Sequence, residues 1–182
     1  MTTTSVLPRT GAGERVLALD DLIITKTDLQ GRLTYCNDTF LQFSALTEAE
    51  ALGQPHNIIR DPDMPAGIFT LLWQRAPAGQ ELFAFIRNRA LDGSTYWVLA
   101  YVTQSFEERD GRKVPIGYHS MRRTPRREAL PEVQAVYAQM RAAEQGLARK
   151  QAGEAGLAWL ESHLASRGLT YDTWLWGLEG RR

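Results

Sequence analysis

Cysteine occurs once in the 182 residues, at Cys36. An internal disulfide is therefore excluded, which fits a reducing compartment. Histidine is nearly as sparse: His56, His119 and His163 stand far apart, and no His/Cys spacing of a metal site occurs. No run approaches the roughly 18 apolar residues of a membrane span. Met1 to Arg15 is Thr- and Gly-rich and lacks the apolar segment of a secretory signal. Charge of one sign is not in excess either: 21 Lys plus Arg face 21 Asp plus Glu. A neutral chain has no global pull toward nucleic acid or an anionic membrane. Gly-rich phosphate loops and nucleophile motifs are missing. Asp61 and Asp63 flank a proline in a loop, a spacing that identifies no acid/base pair. The expectation is a cytoplasmic, non-catalytic protein with a loose N-terminal arm over residues 1–19.

The hydrophobic share of 43% supports a true core. Leu22 to Thr25 is short and β-branched, and Arg32 to Cys36 alternates. With the Asp28–Gly31 turn between them they predict a hairpin. Asn37 or Asp38 caps a helix through Phe43, and Thr47 to Glu50 has capping-box spacing for a second helix that stops at Gly53. Gln54 to Pro65 is a proline-rich connector. Ile68, Phe69, Leu72 and Trp73 then fall at helical spacing within Ala66 to Arg75. Strands follow at Leu82 to Arg89, Thr95 to Gln104 and Val114 to Met121, with a charged loop at Glu107 to Arg112. The class is α+β: a five-stranded antiparallel sheet with short helices on one face.

Arg122 to Pro131 reads as a basic linker. Its arginines, Arg122, Arg123, Arg126 and Arg127, form a solvated run with no recognition helix beside it. A helical extension over 129–182 follows. Val133, Val136, Tyr137, Met140 and Leu147 mark one helix face. Gly153 and Gly156 are expected to interrupt it. Leu157, Leu160 and Leu164 mark another short helix, and Trp174 to Trp176 ends the chain with apolar weight. Such surface favours docking on the preceding domain or on a second copy, so a homodimer is one expected outcome.

The element order is that of the PAS fold, and five collinear segments sharpen it. Thr27 to Gln30, Asn37 to Phe40, Gly53 to Asn57, Arg60 to Pro65 and Tyr96 to Val98 together resemble the PAS domains of the bacterial aerotaxis-receptor class. The resemblance covers about residues 20–128, taken as the sensor domain. It implies a sensor that holds FAD non-covalently and reports redox or oxygen/energy status. With no signalling region in the chain, the implied output is a separate protein such as a chemoreceptor or kinase.

Site residues follow from the same resemblance. Asn37, Arg60 and Asp63 match family positions in the cofactor pocket. Asn37 equally suits a helix cap, Asp63 a cap for the helix after Pro65, and Arg60 a solvated loop. A guanidinium fork suits a pyrophosphate. Two positions depart from the pattern: Asp61 stands where the family often has histidine, and Leu82 where it has a pocket tryptophan. Apart from the resemblance, Phe69, Trp73, Phe83, Phe85 and Trp97 offer an aromatic lining for a ring pocket, although aromatic residues at such spacing are commonly core. A cofactor-free PAS interaction module is the alternative. Haem is a minor reading, because Ala66 to Arg75 offers no axial ligand.

Overall fold

In the computed structural model of the protein, which describes residues 13–180, the Asp28 carboxylate makes the first turn. It accepts from the N–H groups of Gln30 at 2.9 Å and Arg32 at 2.8 Å. That fixes strand β2 (Ile23–Thr27) antiparallel to β3 (Leu33–Cys36). Helix α1 (Asp38–Ser44) and the short α2 (Glu48–Ala51) follow, the latter with the full Thr47/Glu50 capping box. A 3-10 turn at His56–Ile59 leads through the connector to α3 (Ala66–Arg75). Strands β4 (Leu82–Arg89), β5 (Thr95–Arg109) and β6 (Arg112–Arg123) complete the β part. The expected α+β class holds.

Among the described residues the sheet has a sixth strand. β1 (Glu14–Arg15) runs parallel to the start of β5, so the sheet is mixed rather than purely antiparallel. Strand order is β1-β5-β6-β2-β3, with β4 paired to β5. The added strand has a local cause. Arg15 donates to the carbonyls of Gln42 and Phe43, pairs with Asp92, and is followed by buried Leu17. Order in the expected arm therefore begins before Val16, while residues 1–12 of that arm lie outside the described residues. The expected charged loop is also shorter. Asp110 and Gly111, both at positive φ, make a tight turn that matches strand twist, so β5 and β6 extend into the charged stretch.

Contacts divide the chain into two compact units. The first comprises the described chain to Asp61, Arg87–Val98 and Ser105–Thr124. Its core includes Ile23, Leu33, Phe40, Phe43 and Tyr96, each almost wholly buried. The second comprises Pro62–Ile86, Leu99–Gln104 and the described chain from Pro125. It holds α3, the beginning of β4, and three further helices: α4 (Leu130–Glu144), α5 (Arg149–Ser166) and α6 (Tyr171–Leu178). Its core includes Ile68, Leu82, Phe85, Met140, Leu160, Leu164 and Leu175.

Three expectations for the extension are corrected. The basic linker is shorter than read, because Arg122 and Arg123 belong to β6. α5 runs uninterrupted through Gly153 and Gly156, both buried. Glycine there costs about 1 kcal/mol of helix propensity, and close contacts described below offset it. Leu147 lies past the end of α4 and is exposed, whereas Val133, Val136, Tyr137 and Met140 are buried. Among the described residues no helix is long and apolar enough to cross a membrane.

Candidate functional site

Strand parity builds a polar interior in the first unit. In the β2–β6 register Ile23 faces Arg122, Thr25 faces Ser120 and Thr27 faces Tyr118. Alternation sends these residues to one face, and Thr25, Ser120, Arg122 and Tyr118 are buried there. The Arg122 guanidinium donates to Thr25 Oγ1 at 3.1 Å and contacts His56 Nε2 at 2.7 Å. Arginine has no acceptor, so Nε2 must accept. The imidazole is then neutral, with its proton on Nδ1. Thr25 Oγ1 lies 3.2 Å from the same nitrogen, so the three side chains form one cluster. Burial of the ring, followed by the Arg122 cation, pushes the His56 pKa well below its usual value. Burial lowers Arg122 itself to about 10, which leaves it charged at neutral pH.

The first unit also holds polar atoms that the described residues leave unsatisfied. Asn88 Nδ2, Tyr96 Oη and Ser120 Oγ are buried and have no hydrogen-bond partner among them. Burial raises the Tyr96 pKa, so the phenol stays neutral. Its ring meets Phe43 edge-on at 5.4 Å, and Phe40 meets His56 at 5.9 Å. Asn88 also forms a backbone bridge with Arg60. A buried donor or acceptor without a partner costs about 1–3 kcal/mol, so several in one interior point to a polar occupant.

The residues expected at the site are distributed over both units. In the first unit, Asn37 makes three side-chain hydrogen bonds within its own chain. Its Oδ1 accepts from Phe40 N–H at 3.1 Å as the α1 cap, and from Ile24 N–H at 3.0 Å. Its Nδ2 donates to the Leu22 carbonyl at 2.7 Å. Arg60 is tied to β4 by the Asn88 bridge. Asp61 is completely buried, with Oδ2 3.4 Å from Arg87 Nε and 3.6 Å from Arg89 Nε. Trp97 is buried and, one residue after Tyr96, lies on the opposite face of β5. In the second unit, Asp63 pairs with Arg141 at 3.1 Å. Phe69 is half-buried, Trp73 is 46% exposed and Leu82 is fully buried.

Sequence reasoning did not single out Asn88, Tyr96, Ser120 and Arg122 as a group. The available signal was parity. Tyr118, Ser120 and Arg122 alternate along one strand, and an arginine in phase with buried neighbours is not a solvated linker residue. Its partner His56, though assigned a structural place, gave no sign of that contact, since the two are distant in sequence.

Comparison with known proteins agrees with this architecture. The model of the PAS fold matches residues 16–116. The aerotaxis receptor of Escherichia coli (strain K12) is 37% identical over 121 residues, which is 66% of this chain and 23% of the receptor. The chain thus spans about a quarter of that relative's length. Among solved structures, the light state of the blue-light photoreceptor Aureochrome1 LOV superposes with a TM-score of 0.52. It is 17% identical and covers 67% of this chain and 91% of its own. A light-oxygen-voltage domain studied with a flavin analogue also gives 0.52, at 16% identity, over 65% of this chain and 86% of its own. These two likenesses concern the fold. The family match spans more than half of the chain and coincides with the observed order of strands and helices, and the chain belongs to the PAS-fold family.

Proposed function

We propose that the chain is a non-catalytic, cytoplasmic sensory module that binds FAD and reports redox or oxygen/energy status to a separate chemotaxis-type partner, a chemoreceptor or kinase. The single observation that carries this reading is the set Asn88 Nδ2, Tyr96 Oη and Ser120 Oγ, buried without partners among the described residues in the unit that holds the Arg122 cation. The polar edge of an isoalloxazine offers carbonyl acceptors and one N–H. Amide and hydroxyl donors suit the former, and a serine oxygen suits the latter. When bound, the flavin supplies the electron chemistry. The chain supplies the rest: a dry interior, oriented donors, and a buried cation that favours added negative charge. Arg60 is the residue proposed for the pyrophosphate. Asn37 and Asp61 are proposed as its companions in the same unit, whereas Trp97, on the other face of β5 from Tyr96, and Asp63, Phe69, Trp73 and Leu82 are candidates from the sequence alone. The proposed division is an arm over 1–19, a sensor over 20–128 and a helical extension over 129–182. The 37% identity to the aerotaxis receptor supports a sensory role, and the choice of flavin rests on the resemblance carried by the five sequence segments.

A second reading, a cofactor-free interaction module, is favoured by Asn37, whose side chain already bonds Leu22, Ile24 and Phe40. Haem gains nothing from His56, because its Nε2 already accepts from Arg122.

The test is the absorption spectrum of the purified full chain, with the released ligand identified by mass. Flavin bands near about 450 nm are expected. Protein depleted of ligand should take up added FAD. Removing a hydrogen-bond donor costs about 1 kcal/mol or more, so Asn88→Ala and Tyr96→Phe should each weaken FAD binding roughly fivefold or more. Arg60→Ala should weaken it more than Arg109→Ala, which removes an exposed partner of Glu107 on the hairpin. A colourless chain that binds no added FAD would overturn the proposal in favour of the interaction module.

A further inference from the structure

Helix α3 begins after Pro65 and has no side-chain cap of its own sequence. Its first free N–H groups are satisfied from far along the chain. Ala66 N–H donates to Glu144 Oε2 and Gly67 N–H to Glu144 Oε1, both at 2.9 Å. Glu144 is the last residue of α4. A carboxylate that spans two free N–H groups at the positive end of a helix gains from charge as well as from hydrogen bonding.

The seat for that carboxylate is made of glycine. A Cβ at Gly156 of α5 would collide with the Glu144 carboxylate. One at Gly67 of α3 would stand 2.6 Å from Leu157 N, 2.8 Å from the Gly156 carbonyl carbon and 2.8 Å from Met140 Cε. At Gly153 it would strike the Thr70 hydroxyl. α3 and α5 therefore meet almost backbone to backbone, with the Glu144 side chain of α4 seated against them. One turn earlier on α4, Arg141 pairs with Asp63 ahead of α3 at 3.1 Å. Both members are about half exposed, so that pair adds little.

We propose that Glu144 is a clasp that locks α3, α4 and α5 into one cooperative body, and that its release frees the C-terminal helices as a group. It is a cooperative contact built into the second unit, and it stands independently of whether a flavin binds. Hydrogen exchange of the full chain, followed by mass spectrometry, tests it. Glu144→Ala should speed exchange at residues 66–70 and throughout α5 together, on the order of tenfold, while β2 and β6 keep wild-type rates. Gly156→Ala should do the same by displacing the carboxylate, even though alanine is the better helix former. Glu144→Gln keeps one acceptor oxygen and should lie between. Faster exchange confined to Ala66 and Gly67 would reduce Glu144 to a local cap and overturn the proposal. So would unchanged exchange, or an equal rise in β2 and β6, which would mean general loss of stability. If Glu144→Ala does not fold, Gly156→Ala and Glu144→Gln give the same decision.

Discussion

Arg122 and His56 hold each other in unusual states. The arginine is 6% exposed, bonds Thr25 and His56, and stays charged at neutral pH because burial lowers its pKa only to about 10. The histidine is neutral because burial and the neighbouring cation oppose a second proton. The folded pKa of His56 is lowered, so below the unfolded value of 6.5 the unfolded chain binds more protons than the folded one. Stability from this group is complete above 6.5 and is lost as pH falls from there toward the folded pKa. In urea unfolding from about pH 7.5 to about pH 5, each such proton contributes up to about 1.4 kcal/mol per pH unit. His119 is lowered as well and acts in the same sense. The comparison is therefore between wild type and His56→Gln, and the variant should show the shallower slope. Identical slopes would show that His56 is not held neutral. The histidine was visible in the sequence, but its partner was not.

Strand β4 shows how an element outside the main path of the sheet is finished by side chains. Tyr137 on α4 donates to the Phe85 carbonyl, and Tyr171 on α6 to the Phe83 carbonyl, each at 2.9 Å. Two tyrosines of the extension thus satisfy alternate carbonyls that would otherwise leave the strand open to pairing. Tyr137 is 4% exposed, so Tyr137→Phe leaves a buried carbonyl without this donor. It should cost about 1–3 kcal/mol in denaturant unfolding. The same change at Tyr171 should cost less, since its bond is only partly buried. Equal, near-zero costs would mean that water replaces both hydroxyls. Helical spacing announced the apolar face of α4, with Tyr137 among its residues. Nothing in that spacing announced that its hydroxyl would serve a strand.

At the scale of the molecule, the extension is part of a core. Val133, Val136, Tyr137 and Met140 of α4 are buried, as are Leu157, Leu160 and Leu164 of α5. Large apolar side chains contribute about 1.5–3 kcal/mol each when buried. A chain ending at Arg127 loses them all and leaves α3 without its clasp. It should melt several degrees lower than the full chain, or fail to fold. Light scattering on both chains tests the expected homodimer at the same time. An unchanged melting temperature together with unchanged stoichiometry would mean that the extension contributes neither stability nor assembly.

Local chemistry alone determined much of this protein. The hairpin at Asp28, the Asn37 and Thr47 caps, the span of α3 and the start and end of β4 follow from turn residues, side-chain oxygens and periodicity that act within a few positions. The five collinear segments pointed to the PAS fold for the same reason: each is a short, self-contained pattern. Tertiary structure alone decided the rest. β1 exists because Arg15 finds Asp92 and the carbonyls at the end of α1. α5 passes through two glycines because neighbouring backbone and side chains need the missing Cβ space. Arg122 became a buried cation because β2 pairs with β6 in the register that sets it beside Thr25 and His56. Propensity acts between near neighbours, whereas register, close approach and burial are set by residues far apart in sequence.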